Sequence, residues 1–253
     1  MKTDFFDTIQ LTEMNQVKLM NRTDRKYWFH TNNLEDVLRS IKDDYFILAI
    51  EGKSDLPYAT TYYDTTENKM FNDHQNGKLN RFKIRRRSYV DSEISFLEVK
   101  FKSNKGRTIK KRIAAEFEAI TFTEKENGFL SKTIPFSCTE LQPSLFNEFS
   151  RLTLVNKNFS ERCTIDLNIQ FKISDRKVSL DNLVIVEIKS DSNSSESPLA
   201  KVLRNQRIKA SGFSKYCIGR SVTDPKLKRN AFKQKIRQLE KTMNSEFNLY
   251  NIN

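Results

Sequence analysis

A row of basic side chains between residues 81 and 89 is the segment best suited to chemistry. With the two-residue period of a β-strand, one face of this segment carries Arg81, Lys83, Arg85 and Arg87, while Phe82 and Ile84 face the other way. Four like charges on one sheet face repel each other, and an ordinary solvated strand would intersperse acids among them. The row therefore predicts a bound polyanion.

Phosphate groups are the polyanion that these residue types suit best. Arginine makes bidentate contacts to phosphate oxygens, and lysine adds a compact, more mobile charge. Acids interspersed among these cations can orient them or hold a divalent metal that bridges phosphate oxygens. No Gly-rich phosphate loop of the Walker type occurs in the sequence.

The same alternation recurs in five further segments, at residues 22–29, 96–102, 108–113, 162–167 and 184–189. Strands with polar faces towards a common axis and apolar faces outward predict an α+β fold: an antiparallel β-barrel tunnel with helices packed outside. A dozen cations in a confined space repel each other, and a chain of phosphates resolves this repulsion. The predicted lining is Arg22, Lys26, Lys83, Arg85, Arg87, Lys100, Lys110, Arg112, Arg151, Arg162, Lys189 and Lys215.

Length and composition favour one ordered domain over residues 1–253, and apolar residues at helical spacing predict a C-terminal amphipathic helix at about 226–247. A net charge of +12 supports an anionic partner. The charge alternates with core residues inside strands, so no specific nucleic acid is expected. Without a long apolar segment or a leader, the cytoplasm is the expected location. Three cysteines lack metal-ligand spacing, which indicates unpaired thiols.

Shorter elements complete the sequence prediction. Helices are expected at 33–39 with Thr31 as the N-cap, near 124–130, and from Pro198 to about 209. Turns are expected around Pro135 and Pro143, and a strand at 149–154. Arg81 and Arg86 are interpreted as solvated charges, and His74 as a surface or strand-end residue.

Six ordered motifs together resemble one family, and the resemblance places the tunnel at about 18–220. They occupy residues 22–27, 83–89, 98–100, 162–166, 187–189 and 213–216, and they are similar to the VTC (vacuolar transporter chaperone) polyphosphate polymerase domain of the triphosphate tunnel metalloenzyme superfamily (CYTH-like). The resemblance implies transfer of the γ-phosphoryl group of ATP to a growing polyphosphate chain, with release of ADP and with Mn²⁺ or Mg²⁺ as the metal. Glu187 matches the metal-binding glutamate, while the matching phosphate-binding cations are Lys26, Arg85, Arg87, Lys100, Lys110, Arg151, Arg162, Lys189 and Lys215.

Two positions depart from the family pattern. Phe149 stands where a tyrosine is expected, and Gly212 where another basic residue is expected. These departures place the nucleotide contacts or the product exit in question. A membrane protein that receives the product is a candidate partner, and the oligomeric state stays open.

Two other functions use nearly the same lining. One is a metal-dependent triphosphatase or tripolyphosphatase, in which water replaces the phosphate acceptor. The other is a non-catalytic module that binds polyphosphate, inositol polyphosphate or nucleic acid. Among the acids, Glu98 and Asp166 are expected to orient cations, whereas Glu187 is expected to hold metal because a hard divalent ion needs carboxylate oxygen.

Overall fold

The computed structural model describes residues 3–17, 22–191 and 196–247. The strands are β1 (Asp7–Ile9), β2 (Arg22–His30), β3 (Tyr45–Leu48), β4 (Leu56–Thr65), β5 (Arg81–Tyr89), β6 (Ile94–Lys102), β7 (Thr108–Ala115), β8 (Leu141–Asn156), β9 (Glu161–Ile173), β10 (Arg176–Leu180) and β11 (Leu183–Asp191). The α-helices are α1 (Leu34–Ser40), α2 (Lys69–Gln75), α3 (Glu124–Ser131), α4 (Pro198–Asn205), α5 (Lys215–Thr223) and α6 (Lys233–Met243). Short 3₁₀ turns precede α1 and α6.

The eleven strands form one sheet with the order β2-β11-β9-β8-β4-β5-β6-β7. Off this path, β10 pairs with β9, and β3 pairs with β8 and, in parallel, with β1. The pairs β2–β11, β11–β9, β3–β8, β4–β5, β5–β6 and β6–β7 are antiparallel. The predicted α+β class with an antiparallel sheet is therefore confirmed.

The chain divides into two compact units. Unit 1 comprises Met1–Leu56, Ser150–Ile169 and Leu180–Phe213, and unit 2 comprises Pro57–Phe149, Gln170–Ser179 and Ser214–Asn253. The assignment of residues 1–253 to one domain stays a prediction.

Unit 1 shows why alternating residues make a two-faced sheet. Along β11, Val184, Val186 and Ile188 are fully buried in an apolar core, whereas Glu187 and Lys189 point to the opposite face. The helices α1 and α4 contribute apolar residues to the same core, among them Leu38 and Leu203. The polar face of unit 1 is therefore the face away from α1 and α4.

In unit 2 as well, apolar residues occupy one face of the sheet and charged residues the other, but different helices lie near it. Ile84, Leu97 and Val99 are buried on one face of β5 and β6, and their neighbours Arg85 and Glu98 lie on the other. Near this polar face, the ring of Tyr216 in α5 packs against Tyr62 of β4, with ring centroids 5.2 Å apart. The Tyr216 hydroxyl donates to Asp64, whose carboxylate also accepts the backbone N–H groups of Met70 and Phe71 in α2.

The C-terminal amphipathic helix is also confirmed, although it spans Lys233–Met243 rather than the predicted 226–247. Ile236, Leu239 and Met243 of α6 recur at helical spacing and are buried. Among residues 3–17, 22–191 and 196–247, no helix has both the length and the apolar character that crossing a bilayer requires.

Some local predictions differ from the structure. Thr31 does not cap α1, because residues 31–33 form a 3₁₀ turn in which the His30 side chain accepts the N–H of Asn32. Pro143 does not form a turn; it is the third residue of the 16-residue strand β8. A proline is tolerated near a strand's start, where the loss of one ladder donor matters least.

Candidate functional site

Six basic side chains share one face of β5, β6 and β7 in unit 2. We call them the unit 2 cluster: Lys83, Arg85, Arg87, Lys100, Lys110 and Arg112. The strand register places Lys100 opposite both Lys83 and Lys110, and Glu98 opposite both Arg85 and Arg112. Like charges directly opposite each other destabilise a sheet. The only carboxylate at these cross-strand positions is Glu98, so the cluster is strongly cationic.

Glu98 orients two members of this cluster. Its side chain is 1% exposed. One carboxylate oxygen accepts from Arg85, at 2.7 Å from Nε and 2.6 Å from Nη2, and the other forms an ion pair with Lys110 Nζ. Burial would raise the pKa of Glu98, but the charges of Arg85, Arg87 and Lys110 outweigh it and hold this pKa well below its usual range.

Aromatic rings lie beside two further cations of unit 2. The Arg87 guanidinium carbon lies 5.8 Å from the ring centroid of Tyr58 and 6.0 Å from that of Phe149. Lys215 Nζ, at the start of α5, lies 4.4 Å from the Phe149 centroid. Tyr58 and Phe149 stack on each other at 5.3 Å. Phe149 therefore keeps the aromatic platform for these cations while lacking the hydroxyl of the expected tyrosine.

Tyr62 is a member of this site that sequence reasoning missed. It lies opposite Arg85 in the β4–β5 register and is 2% exposed. Burial alone would raise the pKa of its hydroxyl, but Arg85, Lys83, Arg87 and Lys215 together lower that pKa. A lowered pKa in so buried a phenol reflects the positive potential of the cluster. In the sequence, the one indication that Tyr62 shares a strand face with polar residues is its spacing, two residues after Thr60 and two before Asp64.

The interpretation of Arg86 as a solvated charge is wrong. Its side chain is 1% exposed and points to the face opposite Arg85. It donates to the carbonyls of Glu116 and Thr121 at 2.9 and 2.8 Å, and it forms an ion pair with Glu126 of α3 at 2.8 Å. Glu126 also accepts the backbone N–H of Thr123 in the capping box of α3. Arg86 is therefore a buried structural residue.

A second polar cluster lies on β2, β8, β9 and β11 of unit 1. We call it the unit 1 cluster: Lys26, Arg151, Arg162, Glu187 and Lys189. Glu187 is opposite Lys26, and Lys189 is opposite both Asp24 and Arg162. Arg151 makes two hydrogen bonds to Asp166, at 2.5 and 2.9 Å. Burial lowers the pKa of Lys189. The charges of Glu187 and Asp24 raise this pKa, whereas those of Arg151 and Arg162 lower it, and the net shift is downward.

The carboxylates differ in their suitability for a metal ion. Both oxygens of Glu98 and both of Asp166 accept short contacts from cations of their own unit. Glu187 instead has Lys26 Nζ and Lys189 Nζ at 3.8 Å each, and its side chain is 23% exposed. No group of three His, Cys, Asp or Glu side chains with metal-binding geometry occurs in the described part of the chain. The oxygen chemistry of the Glu187 carboxylate fits a hard divalent ion such as Mg²⁺.

The structure brings the predicted site residues together in these two sets. Lys83, Arg85, Arg87, Lys100, Lys110, Arg112 and Lys215 lie in unit 2, and Lys26, Arg151, Arg162, Glu187 and Lys189 lie in unit 1. The side chain of Arg22 lies outside the described residues. The catalytic, phosphate-binding and metal-binding roles of these residues stay predictions.

Comparison with known proteins identifies the family. The family model of the VTC domain matches residues 21–223. The chain therefore belongs to the VTC domain family, which confirms the family predicted from the ordered motifs. No curated protein matches the chain.

Solved structures provide more distant similarities. A candidate adenylate cyclase from Bacillus halodurans is 12% identical, with a TM-score of 0.48 and coverage of 77% of this chain and 96% of that one. HpAC1 from Hippeastrum, a candidate adenylyl cyclase with a dominant triphosphatase activity, is 13% identical, with a TM-score of 0.48 and coverage of 80% and 96%. A conserved hypothetical protein from Pyrococcus furiosus is 12% identical, with a TM-score of 0.39 and coverage of 75% and 95%.

Proposed function

We propose that this protein is a polyphosphate polymerase that transfers the γ-phosphoryl group of ATP to a growing polyphosphate chain and releases ADP. The observation that carries the proposal is the unit 2 cluster, six cations on one sheet face around the single buried carboxylate of Glu98. Membership of the VTC domain family supports it. The substrates are ATP and polyphosphate.

Arg85 and Arg87 are the proposed ligands of the transferring phosphate. Phosphoryl transfer places charge on the γ-phosphoryl oxygens and on the leaving β-phosphate, and a guanidinium stabilises such oxygens in bidentate fashion. Glu98 holds Arg85 in place before substrate arrives. This preorganisation lets Arg85 stabilise developing charge without first having to be reoriented.

The remaining cations are proposed to bind other phosphate oxygens. In unit 2 these are Lys83, Lys100, Lys110, Arg112 and Lys215; in unit 1 they are Lys26, Arg151, Arg162 and Lys189. The lowered pKa of Lys189 follows first from burial. A bound phosphate chain would favour the charged form of this amine, because opposite charge nearby raises a lysine pKa.

Glu187 is the proposed protein ligand of Mn²⁺ or Mg²⁺. Such a metal supplies Lewis-acid stabilisation of phosphate oxygens when it is bound. Lys26 and Lys189 flank the carboxylate at 3.8 Å. A carboxylate supplies the oxygen ligand that a hard divalent cation prefers.

The test is to incubate the purified protein with ATP and Mn²⁺ or Mg²⁺ and to resolve ADP, orthophosphate and polyphosphate. The proposal predicts ADP and polyphosphate as products. Orthophosphate as the only phosphate product would instead identify a triphosphatase. Binding of polyphosphate without any turnover of ATP would identify a binding module.

Three variants connect this assay to the site. Arg87→Ala is expected to lower turnover by roughly 100-fold, the usual cost of removing one donor to a transition-state oxyanion. Glu187→Ala should mainly reduce metal-dependent turnover while leaving polyphosphate binding in place. The matched control is Lys111→Ala, which removes an exposed lysine from the opposite face of β7. Full activity in both site variants would refute the residue assignment.

A further inference from the structure

A small pocket lies beside one end of the β5–β6 pair in unit 2. Its volume is about 150 Å³. Five nitrogen-bearing side chains line it, together with Phe82 and Thr108, and we call these five the basic pocket: His74, Arg81, Lys83, Lys100 and Lys102. Lys83 and Lys100 also belong to the unit 2 cluster, whereas His74, Arg81 and Lys102 lie outside it.

The strand register concentrates positive charge in this pocket. Arg81 is opposite Lys102, and Lys83 is opposite Lys100, so two like-charged pairs follow each other on the same face. The first carboxylate along this face is Glu98, opposite Arg85. Arg81 precedes Arg85 by four residues, which is about 14 Å along a strand. A phosphate near Arg81 is therefore a different phosphate from the one held by Arg85.

His74 is the unusual member of the pocket. It lies in the last turn of α2, and its ring stacks on Phe232 with centroids 6.0 Å apart and planes 24° apart. Burial lowers its pKa, and the charges of Lys83, Arg81, Lys102 and Lys235 lower it further, to about 3. Burial and the neighbouring charges thus both favour the neutral imidazole.

The charged groups around α2 are mostly positive. β5 contributes Arg81 and Lys83, β6 contributes Lys100 and Lys102, and α6 contributes Lys235. The nearby acids are engaged with other groups. Asp73 on α2 pairs with Lys69 and Lys78, Asp224 pairs with Arg220 of α5, and Asp64 accepts from the start of α2 and from Tyr216.

We propose that the basic pocket binds a phosphate group of a polyphosphate chain, at a different position from Arg85 and Arg87, and that His74 gains a proton when the pocket fills. This inference rests on the proposed function for the identity of the chain. A bound phosphate offsets the charges of Lys83, Arg81 and Lys102, so the repulsion that disfavours protonated His74 falls. Its pKa then rises, although burial still lowers it, and the imidazolium becomes an additional phosphate donor.

Binding of polyphosphate should depend on pH. Because the bound state holds more protons than the unbound state, affinity for polyphosphate rises as pH falls from about 6.5 towards about 3. Terminal phosphates of the ligand act in the opposite direction, since binding to cations favours their release of protons. A variant without the imidazole separates these two contributions.

The first experiment measures proton uptake by titration calorimetry with inorganic tripolyphosphate. The titration is performed at about pH 5 in two buffers of different ionisation enthalpy, with the wild type and with His74→Phe, which retains an aromatic ring against Phe232. The wild type is expected to take up more protons per bound chain than the variant. Equal proton numbers in the two proteins would overturn the role of His74.

The second experiment tests the location of the bound phosphate. Arg81→Gln/Lys102→Gln should weaken binding of tripolyphosphate or longer polyphosphate by about tenfold or more, the cost of losing charge-assisted hydrogen bonds. Lys111→Ala should change it by no more than about twofold. Unchanged affinity in the Arg81/Lys102 variant would overturn the pocket. Thermal unfolding of the variants confirms that the measurement is made on folded protein.

These measurements are independent of ATP turnover. A protein that binds polyphosphate with the His74-dependent proton uptake but forms no polyphosphate from ATP would retain this inference and lose the proposed function. A protein that forms polyphosphate without that proton uptake would retain the function and lose the inference.

Discussion

Glu98→Gln should destabilise the folded protein, because it removes a buried charge that faces Arg85 and Lys110. Glu98 is 1% exposed, and its partner Arg85 is 7% exposed, so water screens their interaction little. The substitution preserves the size of the side chain and an acceptor oxygen, but it removes the charge that faces Arg85 and Lys110. The Arg85 guanidinium then stays buried without its carboxylate.

Removing one member of a buried ion pair typically costs 3–5 kcal/mol. Because glutamine can still accept a hydrogen bond from Arg85, we take the lower end, about 3 kcal/mol. For a chain of this length, 1 kcal/mol corresponds to a shift of about 2–4 °C in Tm, so the expected loss is about 6–12 °C. Polyphosphate should restore part of it, since a ligand that binds only the folded protein stabilises that state.

The assay is unfolding by heat and by urea, with and without inorganic tripolyphosphate. Glu93→Gln, in the exposed connection between β5 and β6, is the matched control and should change stability by less than about 0.5 kcal/mol. Because the pKa of folded Glu98 is lowered, its contribution is present above the unfolded value of about 4.3 and is lost as pH falls through the folded value. The difference between wild type and variant should therefore persist at neutral pH and shrink in strong acid. A variant as stable as wild type at pH 7 would refute this reasoning.

Two further substitutions test the packing of unit 2. A Cβ at Gly219 would lie 2.6 Å from Leu145 Cδ2 and 2.7 Å from Phe171 Cδ1, so Gly219→Ala should destabilise the protein by about 1–3 kcal/mol in urea unfolding, and an unchanged midpoint would contradict the close packing of α5. Arg86→Met leaves Glu126 buried without its cation and should cost about 3–5 kcal/mol, whereas Arg86→Met/Glu126→Gln should cost less because no unpaired charge remains. The double variant being less stable than the single one would contradict that account.

Much of the fold and both clusters could be predicted from the sequence. Alternation with a period of two assigns Lys26 to the face opposite Tyr27, and Arg85 to the face opposite Ile84, because a strand has only two faces. In unit 1, Tyr27 and Val186 lie in the buried core, as the alternation predicts.

Other features depend on contacts that local sequence does not encode. Arg86 is buried against Glu116, Thr121 and Glu126. These partners lie 30 to 40 residues further along the chain. Nothing in the alternation distinguishes such an arginine from a solvated one. Tyr62 was missed for a related reason: an aromatic residue in a β-rich segment is typical of a core, and only the β4–β5 register places it opposite Arg85.

The opposite orientations of Arg85 and Arg86 have a consequence for folding. A strand that slips by one residue exchanges its two faces. In the run Arg85–Arg87, such a slip would still present an arginine to each face, so the arginines themselves do not distinguish the correct alignment from the shifted one. The distinction comes from Ile84, which is fully buried opposite Val99 and which a slip would replace with a charged neighbour, Lys83 or Arg85. This apolar residue therefore helps to select the alignment of β5 during folding, before any phosphate is bound.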